Sequence, residues 1–569
     1  MGNAKDTVFI TGANGFIGRN ICRTFSKMGF KVIAGVRNKA DHFLPAGVDQ
    51  VICDLQNPTG LGKKLLSVNY IIHCAGNAKF QNGQEFFLDN VECTINLINE
   101  VKSGAKNFKR FIFISSIAAM DRGKSDGCDK PLSEVGDLFP STDYGKSKAQ
   151  AEEILTKSGL EYCILRPAQI VGPGMRIDSH FAVFAQWALK KKLFSLINWP
   201  GMFSIIHVED LAQAILTCTK SNLAKNELFL CGGHNISLGN FFKTVGLTPN
   251  LAINWIIPIA KFMKNFLPFS VKSILLPALQ VDSSKLLSLG WSLKYDQAET
   301  CNSIIQRERA RLDPEFDSEL GMTIITGAAS GLGLAIFEGL LPRRKNILLI
   351  DKDAKRMSEL EAKFGVQTLI ADLSDQKQLE KILASEVLNE KPIIEFFSCA
   401  GMGTRGEFIS SDIVSQRDVM NVNLIARMQM SHKIAQKMLN FNFGRIILIS
   451  SSSAFQALPM MVSYAASNSG LLSFGAGLSY ELQHKGIKVL TVCPGGMDTN
   501  FQNAAGVKKL ENENLMSPIE VAKQIFKGLR SNSPILLVSK RSKLMMLFSR
   551  VLPVSVSLKL WGHLMQKMR

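Results

Sequence analysis

The sequence lacks the features that mark several large classes of protein. Its eleven cysteines form no C-x-x-C pair and no metal-like spacing, so neither a disulfide framework nor a metal site is expected. No uninterrupted apolar run reaches the roughly 18 residues that a membrane span needs. A strand-like segment begins at Thr7, which leaves no room for a signal peptide. We therefore expect a cytoplasmic protein with reduced thiols and no metal centre.

Acidic residues are absent from two stretches of this chain, whose formal net charge is +18. One lies between Glu227 and Asp282, and the other runs from Glu520 to the end. The last segment, Lys540 to Arg569, holds seven lysines and arginines among apolar residues, which is typical of an amphipathic element on an anionic membrane. The alternative is a C-terminal helix that packs on its own domain with a solvated basic face. Motifs for nucleic acid are missing, so we expect no nucleic-acid partner.

A glycine-rich turn occurs twice, and each copy stands at the head of a domain-sized segment. Thr11 to Gly18 follows the apolar run Val8 to Ile10, and Thr326 to Gly333 follows Met322 to Ile325. Glycines are needed because the backbone must bend tightly, approach a pyrophosphate and direct a helix N-terminus at the anion. The pattern predicts two dinucleotide-binding domains, with cofactor contacts at Gly12, Gly15, Phe16, Ile17, Gly18, Gly327, Gly331, Leu332 and Gly333.

The residue that ends the second strand of each domain indicates the dinucleotide, since this position faces the adenosine ribose. In the first domain Arg37 ends that strand, and its cation suits a 2′-phosphate, which favours NADP(H). In the second domain Asp351 ends it, and its carboxylate suits free ribose hydroxyls, which favours NAD(H). Asp54 and Asp372 close the third strands at matching places and are further candidate cofactor contacts.

The spacing of Tyr144 and Lys148 places a phenol and an ammonium on one helix face. A buried ammonium stabilises a phenolate, so we expect Lys148 to pull the pKa of Tyr144, ordinarily about 10, toward neutrality. Such a tyrosine exchanges a proton at physiological pH. The spacing recurs at Tyr464, but Asn468 stands where the lysine is expected.

Together these marks resemble the short-chain dehydrogenase/reductase superfamily in two tandem copies. Residues 1–305 resemble its extended branch, which includes nucleotide-sugar epimerases and 3β-hydroxysteroid dehydrogenase-like enzymes, and residues 321–569 resemble its simple branch. The supporting motifs outside the turns are His73 to Gly76, Ser115-Ser116, Leu165 to Pro167, His207 to Leu211, Ser398 to Gly401, Asn421 to Leu424 and the serines at 450–453.

The resemblance implies roles for three residues of the first domain. Tyr144 would be the acid/base, Ser116 would hydrogen-bond the reacting oxygen, and Lys148 would bind the nicotinamide ribose. Ser116 precedes Tyr144 by 28 residues, the interval of the extended branch. In the second domain Ser451 precedes Tyr464 by 13, the interval of the simple branch, which selects Ser451 among its neighbouring serines.

The second domain keeps Asn423, Ser451 and Tyr464 but lacks the lysine. Without a nearby cation, Tyr464 should hold its ordinary pKa of about 10 and be a poor base at neutral pH. We therefore expect this domain to be inactive or slowed, unless a cation such as Lys485 is supplied from elsewhere in the chain.

The predicted fold is α/β, with two tandem doubly wound Rossmann domains of parallel strands. The first spans residues 1–305 and carries a small C-terminal substrate lobe, residues 306–320 form a charged linker, and the second spans residues 321–569. The lobe includes Phe181 to Ile197 and Trp255 to Pro268, both rich in apolar residues. These stretches look like the apolar tail of the 3β-hydroxysteroid dehydrogenase-like group, and this resemblance implies a lipid, sterol or acyl-type substrate, although a buried core would have the same composition.

The resulting hypothesis is an NAD(P)-dependent oxidoreductase that interconverts a hydroxyl and a carbonyl on a hydrophobic substrate in the first domain. A nucleotide-sugar epimerase and a dinucleotide-binding sensor or scaffold without turnover are the alternatives. Two successive steps on one lipid would require an active second domain. The family resemblance also implies a homo-oligomer. The substrate and the reaction direction do not follow from the sequence.

Overall fold

The chain folds as two compact units, Met1–Ile305 and Gln306–Arg569. The structure, a computed structural model, describes residues 6–37, 44–45, 47–78, 83–120, 130–135, 138–176, 178–249, 251–253, 255–263, 266, 269–312, 321–501, 505, 515–531 and 533–567. Each unit is built on its own sheet and its own cores, which confirms the predicted tandem α/β fold.

The strands of the first unit form one large sheet and two small ones. They are β1 Thr7–Thr11, β2 Lys31–Val36, β3 Asp49–Ile52, β4 Tyr70–His73, β5 Arg110–Ile114, β6 Tyr162–Pro167, β7 Gln169–Val171, β8 Ile197–Asn198, β9 Met202–His207, β10 Glu227–Cys231, β11 His234–Ser237 and β12 Leu251–Ala252. The large sheet has the order β10-β6-β5-β4-β1-β2-β3, and all of its strand pairs are parallel.

Some helices of the first unit cover the two faces of this sheet, and others belong to the lobe. They are α1 Phe16–Lys27, α2 Leu61–Lys64, α3 Gly83–Phe86, α4 Cys93–Gly104, α5 Asp143–Thr156, α6 His180–Leu189, α7 Val208–Lys220, α8 Leu238–Thr244, α9 Ile256–Phe262, α10 Phe269–Leu275, α11 Ser284–Leu287 and α12 Gln297–Leu312. Alternate residues of β1 enter opposite cores, Val8 and Ile10 on one face and Phe9 on the other. Burial on both faces explains the nearly continuous apolar strands, which is typical of parallel sheets.

The small sheets, β11-β9-β7 and β12-β8, belong to the lobe predicted after the dinucleotide-binding region. Phe181 is 2% exposed and packs edge-on against Phe203 and Phe241, so the first apolar stretch forms the interior of the lobe. The second stretch behaves differently, because Phe262 is 88% exposed and Phe266 is 83% exposed. The second stretch therefore presents a large apolar surface.

The second unit repeats the topology with the strand order β15-β14-β13-β16-β17-β18-β19, again with parallel pairs. Its strands are β13 Met322–Thr326, β14 Ile347–Asp351, β15 Gln367–Ile370, β16 Ile393–Ser398, β17 Gly444–Ile449, β18 Ile487–Cys493 and β19 Ile535–Leu537. Its helices are α13 Gly331–Leu340, α14 Ala354–Phe364, α15 Gln376–Ala384, α16 Val387–Glu390, α17 Ile413–Met420, α18 Ala426–Leu439, α19 Val462–Gln483, α20 Pro518–Gly528, α21 Lys540–Val551 and α22 Val554–Lys567.

One segment differs from the sequence-based expectation. Helix α12 continues to Leu312, so the first part of the predicted linker at 306–320 is helical, and residues 313–320 lie outside the described part of the chain. The basic C-terminal segment folds as α21 and α22, and Ser539 caps α21 by accepting a hydrogen bond from the Ser542 N–H at 2.9 Å. Within the described residues, no helix is both long enough and apolar enough to cross a membrane.

Candidate active sites

The two glycine-rich turns have the same geometry. Gly12 and Gly327 have φ values of +62° and +67°, which residues other than glycine rarely adopt. A Cβ on Gly12 would lie 2.8 Å from the Ala75 nitrogen, and a Cβ on Gly327 would lie 2.7 Å from the Ala400 nitrogen. Each turn therefore lies directly against the end of the fourth strand of its sheet, before the N-terminus of α1 or α13. This is the cradle that a pyrophosphate needs.

The residues predicted to read the adenosine ribose lie at the same sheet edge as the turns. Arg37 directly follows β2, and Asp54 follows β3 by two residues. The Asp351 carboxylate accepts a 3.0 Å hydrogen bond from the Ala329 N–H of the second turn. The Asp372 carboxylate accepts a 2.9 Å hydrogen bond from the Ser374 N–H and lies 3.4 Å from the Lys352 ammonium. The residues of both domains therefore fit a dinucleotide.

In the first domain, Ser116 and Tyr144 come together at the carboxyl edge of the sheet. The Ser116 Oγ accepts a 3.2 Å hydrogen bond from the Ala118 N–H and so begins a short 3-10 turn after β5. Tyr144 is half-buried near the start of α5, whose N-cap Thr142 accepts a 3.0 Å bond from the Gly145 N–H. Burial raises the pKa of Tyr144, and a hydrogen bond with Ser116 opposes that rise.

Lys148 lies buried one turn after Tyr144. Its ammonium donates to the Ile114 carbonyl at 3.0 Å and lies 4.8 Å from the centre of the Phe113 ring. Burial lowers the pKa of Lys148 to about 8. The predicted depression of the Tyr144 pKa by Lys148 is wrong for this structure, because burial dominates at the phenol and the ammonium faces the strand carbonyl.

Asn90 is a first-domain site residue that the sequence interpretation missed. It lies in a π-helical turn, Phe87–Glu92, where its side chain accepts from the Asn77 N–H at 2.8 Å and donates to the Asn77 carbonyl at 3.1 Å. It also donates to the Ser147 hydroxyl at 3.0 Å, which links it to the helix of Tyr144. The available signal was Asn423, whose position in the second domain is equivalent.

In the second domain the predicted residues line one cavity of about 950 Å³. The lining from the prediction comprises Gly327, Gly331, Leu332, Gly333, Asp351, Asp372, Asn423, Ser451 and Tyr464. Apolar side chains complete the wall, among them Leu458, Met461 and Phe501. The cavity therefore brings the glycine-rich turn, the polar residues around Tyr464 and apolar side chains together.

The polar groups at the Tyr464 end repeat those of the first domain. Ser451 caps a 3-10 turn after β17 by accepting from the Ser453 N–H at 3.1 Å. Asn423 lies in the π-helical turn Asn421–Ile425, where it accepts from the Met402 N–H at 3.0 Å and donates to the Ser467 hydroxyl at 3.3 Å. Asn423 and Ser467 therefore correspond to Asn90 and Ser147.

The expectation that Tyr464 has no cation beside it and keeps its ordinary pKa is wrong. The buried Arg427 guanidinium lines the same cavity and donates to the Ala400 carbonyl at 3.2 Å and to the Ile449 carbonyl. Burial raises the pKa of Tyr464, whereas a hydrogen bond with Ser451 and the charge of Arg427 act to lower it. Arg427 precedes Tyr464 by 37 residues, so no local pattern revealed it.

The C-terminal helices contribute to the second cavity. Met545 of α21 and Trp561 of α22 line it, and Trp561 packs beside Tyr464 on the cluster of Leu458, Met461 and Ala465. Other apolar side chains of the pair face outward and are 39–72% exposed, namely Leu544, Leu547, Phe548, Val551, Val554, Val556, Leu558 and Leu560. The segment thus packs on its own domain and also exposes an apolar surface.

Comparison with known proteins gives a family match in each half of the chain. Residues 8–232 match the sequence profile of the NAD dependent epimerase/dehydratase family, and residues 322–510 match that of the short chain dehydrogenases. The UDP-glucose 4-epimerase of Vibrio cholerae is 29% identical over 309 residues, which cover 50% of this chain and 90% of that enzyme. The ketoacyl reductase HetN of Nostoc sp. is 23% identical over 245 residues, or 41% of this chain and 85% of that protein.

Solved structures match in the same two groups. MoeE5 in complex with UDP-glucuronic acid and NAD is 21% identical with a TM-score of 0.42, and the match covers 54% of this chain and all of MoeE5 (100%). A short-chain dehydrogenase from Sphingobium yanoikuyae in complex with NADPH is 23% identical with a TM-score of 0.37, and the match covers 44% of this chain and 97% of that one.

Proposed function

Since the chain joins a domain of the NAD dependent epimerase/dehydratase family to a short-chain dehydrogenase domain, we propose that it is an oxidoreductase of hydrophobic alcohols and ketones. The observation that carries this proposal is the meeting of Ser116, Tyr144 and Lys148 at the carboxyl edge of the first sheet, beyond the glycine-rich turn. Ligands of open α/β sheets bind at that edge.

A bound nicotinamide dinucleotide supplies or accepts the hydride in such chemistry. The residues of this chain provide the proton and the alignment. Tyr144 exchanges a proton with the substrate oxygen, and the Ser116 hydroxyl donates a hydrogen bond to the same oxygen. Lys148 holds a positive charge at the floor of the site, because its ammonium is fixed on the Ile114 carbonyl.

Each domain favours a different dinucleotide under this proposal. The Arg37 guanidinium supports NADP(H) in the first domain, since a bidentate cation matches a 2′-phosphate. The Asp351 carboxylate supports NAD(H) in the second, because it would hydrogen-bond ribose hydroxyls and repel a phosphate. The hydrogen bond between Asp351 and Ala329 holds the carboxylate against the phosphate-binding turn.

Exposed apolar surfaces support the hydrophobic substrate class. In the first unit, Trp255, Ile259, Phe262, Met263 and Phe266 are each at least 43% exposed, within the stretch that contains no acid. Exposed aromatic residues beside lysines are the composition with which peripheral proteins contact anionic lipid. We extend the proposal to peripheral membrane binding by this patch and by α21 and α22.

The proposal is tested by mass spectrometry of small molecules that co-purify with the full chain and with its Tyr144→Phe and Tyr464→Phe variants. A lipid-like alcohol or ketone together with NADP(H) is the expected result. In a Tyr464→Phe background, which removes any contribution of the second domain, turnover of that compound should fall about 10²- to 10⁴-fold when Tyr144→Phe is added, because a general acid/base is lost. Tyr162→Phe in the same background, changed outside the site, is the matched control. Full turnover in the variant that carries both Tyr144→Phe and Tyr464→Phe would refute the assignment.

Nucleotide-sugar epimerisation is the second candidate, because the first half is similar to a UDP-glucose 4-epimerase over 90% of that enzyme. An epimerase regenerates its dinucleotide in every cycle, so its substrate and product interconvert without net change in the cofactor. Co-purification of a sugar nucleotide, with the ratio of oxidised to reduced cofactor constant during turnover, would favour this candidate over the first.

A further inference from the structure

The buried Lys148 ammonium of the first domain lies between two segments of backbone. The Lys148 ammonium donates to the carbonyl of Ile114, the last residue of β5, at 3.0 Å. It also lies beside the loop after β4, since a Cβ on Gly76 would be 3.4 Å from Nζ. The cation therefore occupies the space between the ends of the fourth and fifth strands.

The Arg427 guanidinium occupies the equivalent space in the second domain. It donates to the carbonyl of Ile449, the last residue of β17, and to Ala400 in the loop after β16. A Cβ on Gly401 would be 2.9 Å from Nη2. Ile449 precedes Ser450-Ser451 as Ile114 precedes Ser115-Ser116, and Gly401 ends Cys-Ala-Gly as Gly76 does. The two cations thus share one equivalent backbone acceptor, the last carbonyl of the fifth strand, and lie beside equivalent glycines, while Arg427 donates to the Ala400 carbonyl in addition.

The two domains supply this cation from different helices. Lys148 lies four residues after Tyr144, whereas the position four residues after Tyr464 is Asn468. Arg427 lies four residues after Asn423, whereas the position four residues after Asn90 is Thr94. Asn468 is engaged locally, because it donates to the Tyr464 carbonyl at 2.9 Å.

Arg427 is charged at neutral pH. Burial lowers its pKa to about 10, which still leaves the guanidinium protonated at pH 7. Its charge favours ionisation of Tyr464, although burial of the phenol has the larger and opposite effect on the pKa of Tyr464. A positive charge with the geometry of the first site is therefore present in the second.

We propose that Arg427 replaces the missing lysine, so that the second domain is a second catalytic site rather than an inactive one. This inference rests on the proposed oxidoreductase function. In the oxidation direction the alcohol carbon loses a hydride to an oxidised nicotinamide dinucleotide. The hydroxyl proton passes to the Tyr464 phenolate, and a ketone remains. Arg427 stabilises that phenolate and the bound dinucleotide. The chain then carries two hydroxyl–carbonyl sites with different cofactor preferences.

The test uses the full chain with Lys148→Asn and Tyr144→Phe, so that the first site is silent. NADH binding is measured by fluorescence, and the Tyr464 phenol is titrated by ultraviolet difference absorbance against Tyr464→Phe. Arg427→Met should weaken NADH binding about 10- to 100-fold, the loss typical of a charged hydrogen-bond donor, and should raise the Tyr464 titration midpoint. Arg417→Met, which removes an exposed arginine of α17, should change neither.

Moving the positive charge from α18 to α19 shows whether the cation acts through its place in the site or whether Arg427 only supports the fold. Arg427→Thr combined with Asn468→Lys reproduces the arrangement of the first domain and should restore both the NADH affinity and the titration midpoint. Arg427→Lys should restore them in part. The inference is wrong if Arg427→Met and Arg417→Met have the same NADH affinity and the same Tyr464 titration midpoint. It is also wrong if the relocated lysine restores neither property in a variant whose unfolding transition matches that of the unaltered chain. Failure of the unaltered second site to bind NADH would instead refute the proposed function.

Discussion

At the residue scale, an asparagine in a π-helical turn organises each site. Asn90 and Asn423 each bond both backbone groups of one residue in the loop after the fourth strand, Asn77 and Met402 respectively. Each also donates to the serine three residues after the site tyrosine. The asparagine therefore fixes the loop and the tyrosine helix relative to each other. A π-turn is often retained at functional positions because it directs a side chain that a regular helix would misplace.

The two cations predict different pH dependences for the two sites. Burial lowers the pKa of Lys148 to about 8 and that of Arg427 to about 10. Each charge is present below its pKa and lost above it, so NADPH affinity at the first site should decline as the pH rises through about 8. NADH affinity at the second should persist to about pH 10. Lys148→Arg should shift the first decline upward, and calorimetric titration from pH 6 to 10 in the presence of one cofactor at a time provides the measurement.

The proposed cofactor preferences rest on single residues, so single substitutions test them. Arg37→Ser should weaken NADPH binding by about 10- to 100-fold, the loss typical of a charged hydrogen bond, and leave NADH binding unchanged. Asp351→Ser should weaken NADH binding at the second site without affecting NADPH at the first. Binding is measured by fluorescence titration of the full chain. Equal losses for NADPH and NADH in Arg37→Ser would contradict the assigned contact with a 2′-phosphate.

At the element scale, α21 and α22 contribute both to the wall of the second cavity and to an exposed apolar surface. Their inner side chains, Met545 and Trp561, close part of the second cavity, while their outer side chains remain exposed. The sequence from Val521 onward contains no acid, so no negative charge offsets the lysines and arginines of these helices. An apolar surface framed by cations is suited to an anionic bilayer.

Substitution of the exposed face tests this interpretation. Leu547→Glu combined with Val551→Glu should reduce sedimentation with vesicles of phosphatidylcholine and phosphatidylglycerol about 10-fold or more, because two apolar side chains no longer enter the lipid. Leu223→Glu changes a leucine in the first unit that is more exposed than Leu547 and serves as the control. Binding of the unaltered protein should weaken with added salt. Equal sedimentation of both variants would contradict membrane contact by these helices.

Strands and glycine-rich turns were predictable from sequence because their determinants are local. A strand buried on both faces is a short apolar run, and the turn needs glycine at fixed positions, as at Gly12 and Gly327. The continuation of α12 to Leu312 was missed because the charged segment 306–320 was predicted to be a linker. Arg427 was missed for a different reason, since its partners Ala400 and Ile449 lie 27 and 22 residues away.

At the scale of the whole molecule, each unit has its own buried ion pair. In the first, Arg166 pairs with Glu152 at 2.5 Å. In the second, Glu395 of β16 lies between Arg344 at 2.9 Å and Arg445 at 2.6 Å. Burial opposes ionisation of Glu395, but the two guanidinium groups outweigh it and hold the pKa of this carboxyl below its ordinary value.

The Glu395 cluster predicts an acid-sensitive second unit. A depressed pKa in the folded state stabilises the fold above the unfolded value of about 4.3, and this stabilisation is lost as the pH falls through the lower folded value. Glu395→Gln should destabilise the second unit by about 3–5 kcal/mol at pH 7, because two buried cations lose their partner. Scanning calorimetry of the full chain should show two unfolding transitions. In Glu395→Gln the midpoint temperature of one of them should be lower and should change less as the pH falls.

The matched control for this experiment is Glu359→Gln, which breaks the exposed pair with Arg356 in the same unit. Exposed pairs contribute about 0–1 kcal/mol, so its transition should move little. A uniform shift of both calorimetric transitions in Glu395→Gln would show that the two units do not unfold independently.

The position of Arg427 limits which segments of the second domain can be exchanged for those of related proteins. Helix α18 carries the arginine, and α19 carries Asn468 where a relative with the usual spacing has lysine. A chimera that imports only such an α19 would place two cations near the Ile449 carbonyl, whereas one that imports only an α18 without arginine would leave none. The two helices therefore form one exchangeable unit, and crossover points between them should yield non-functional hybrids.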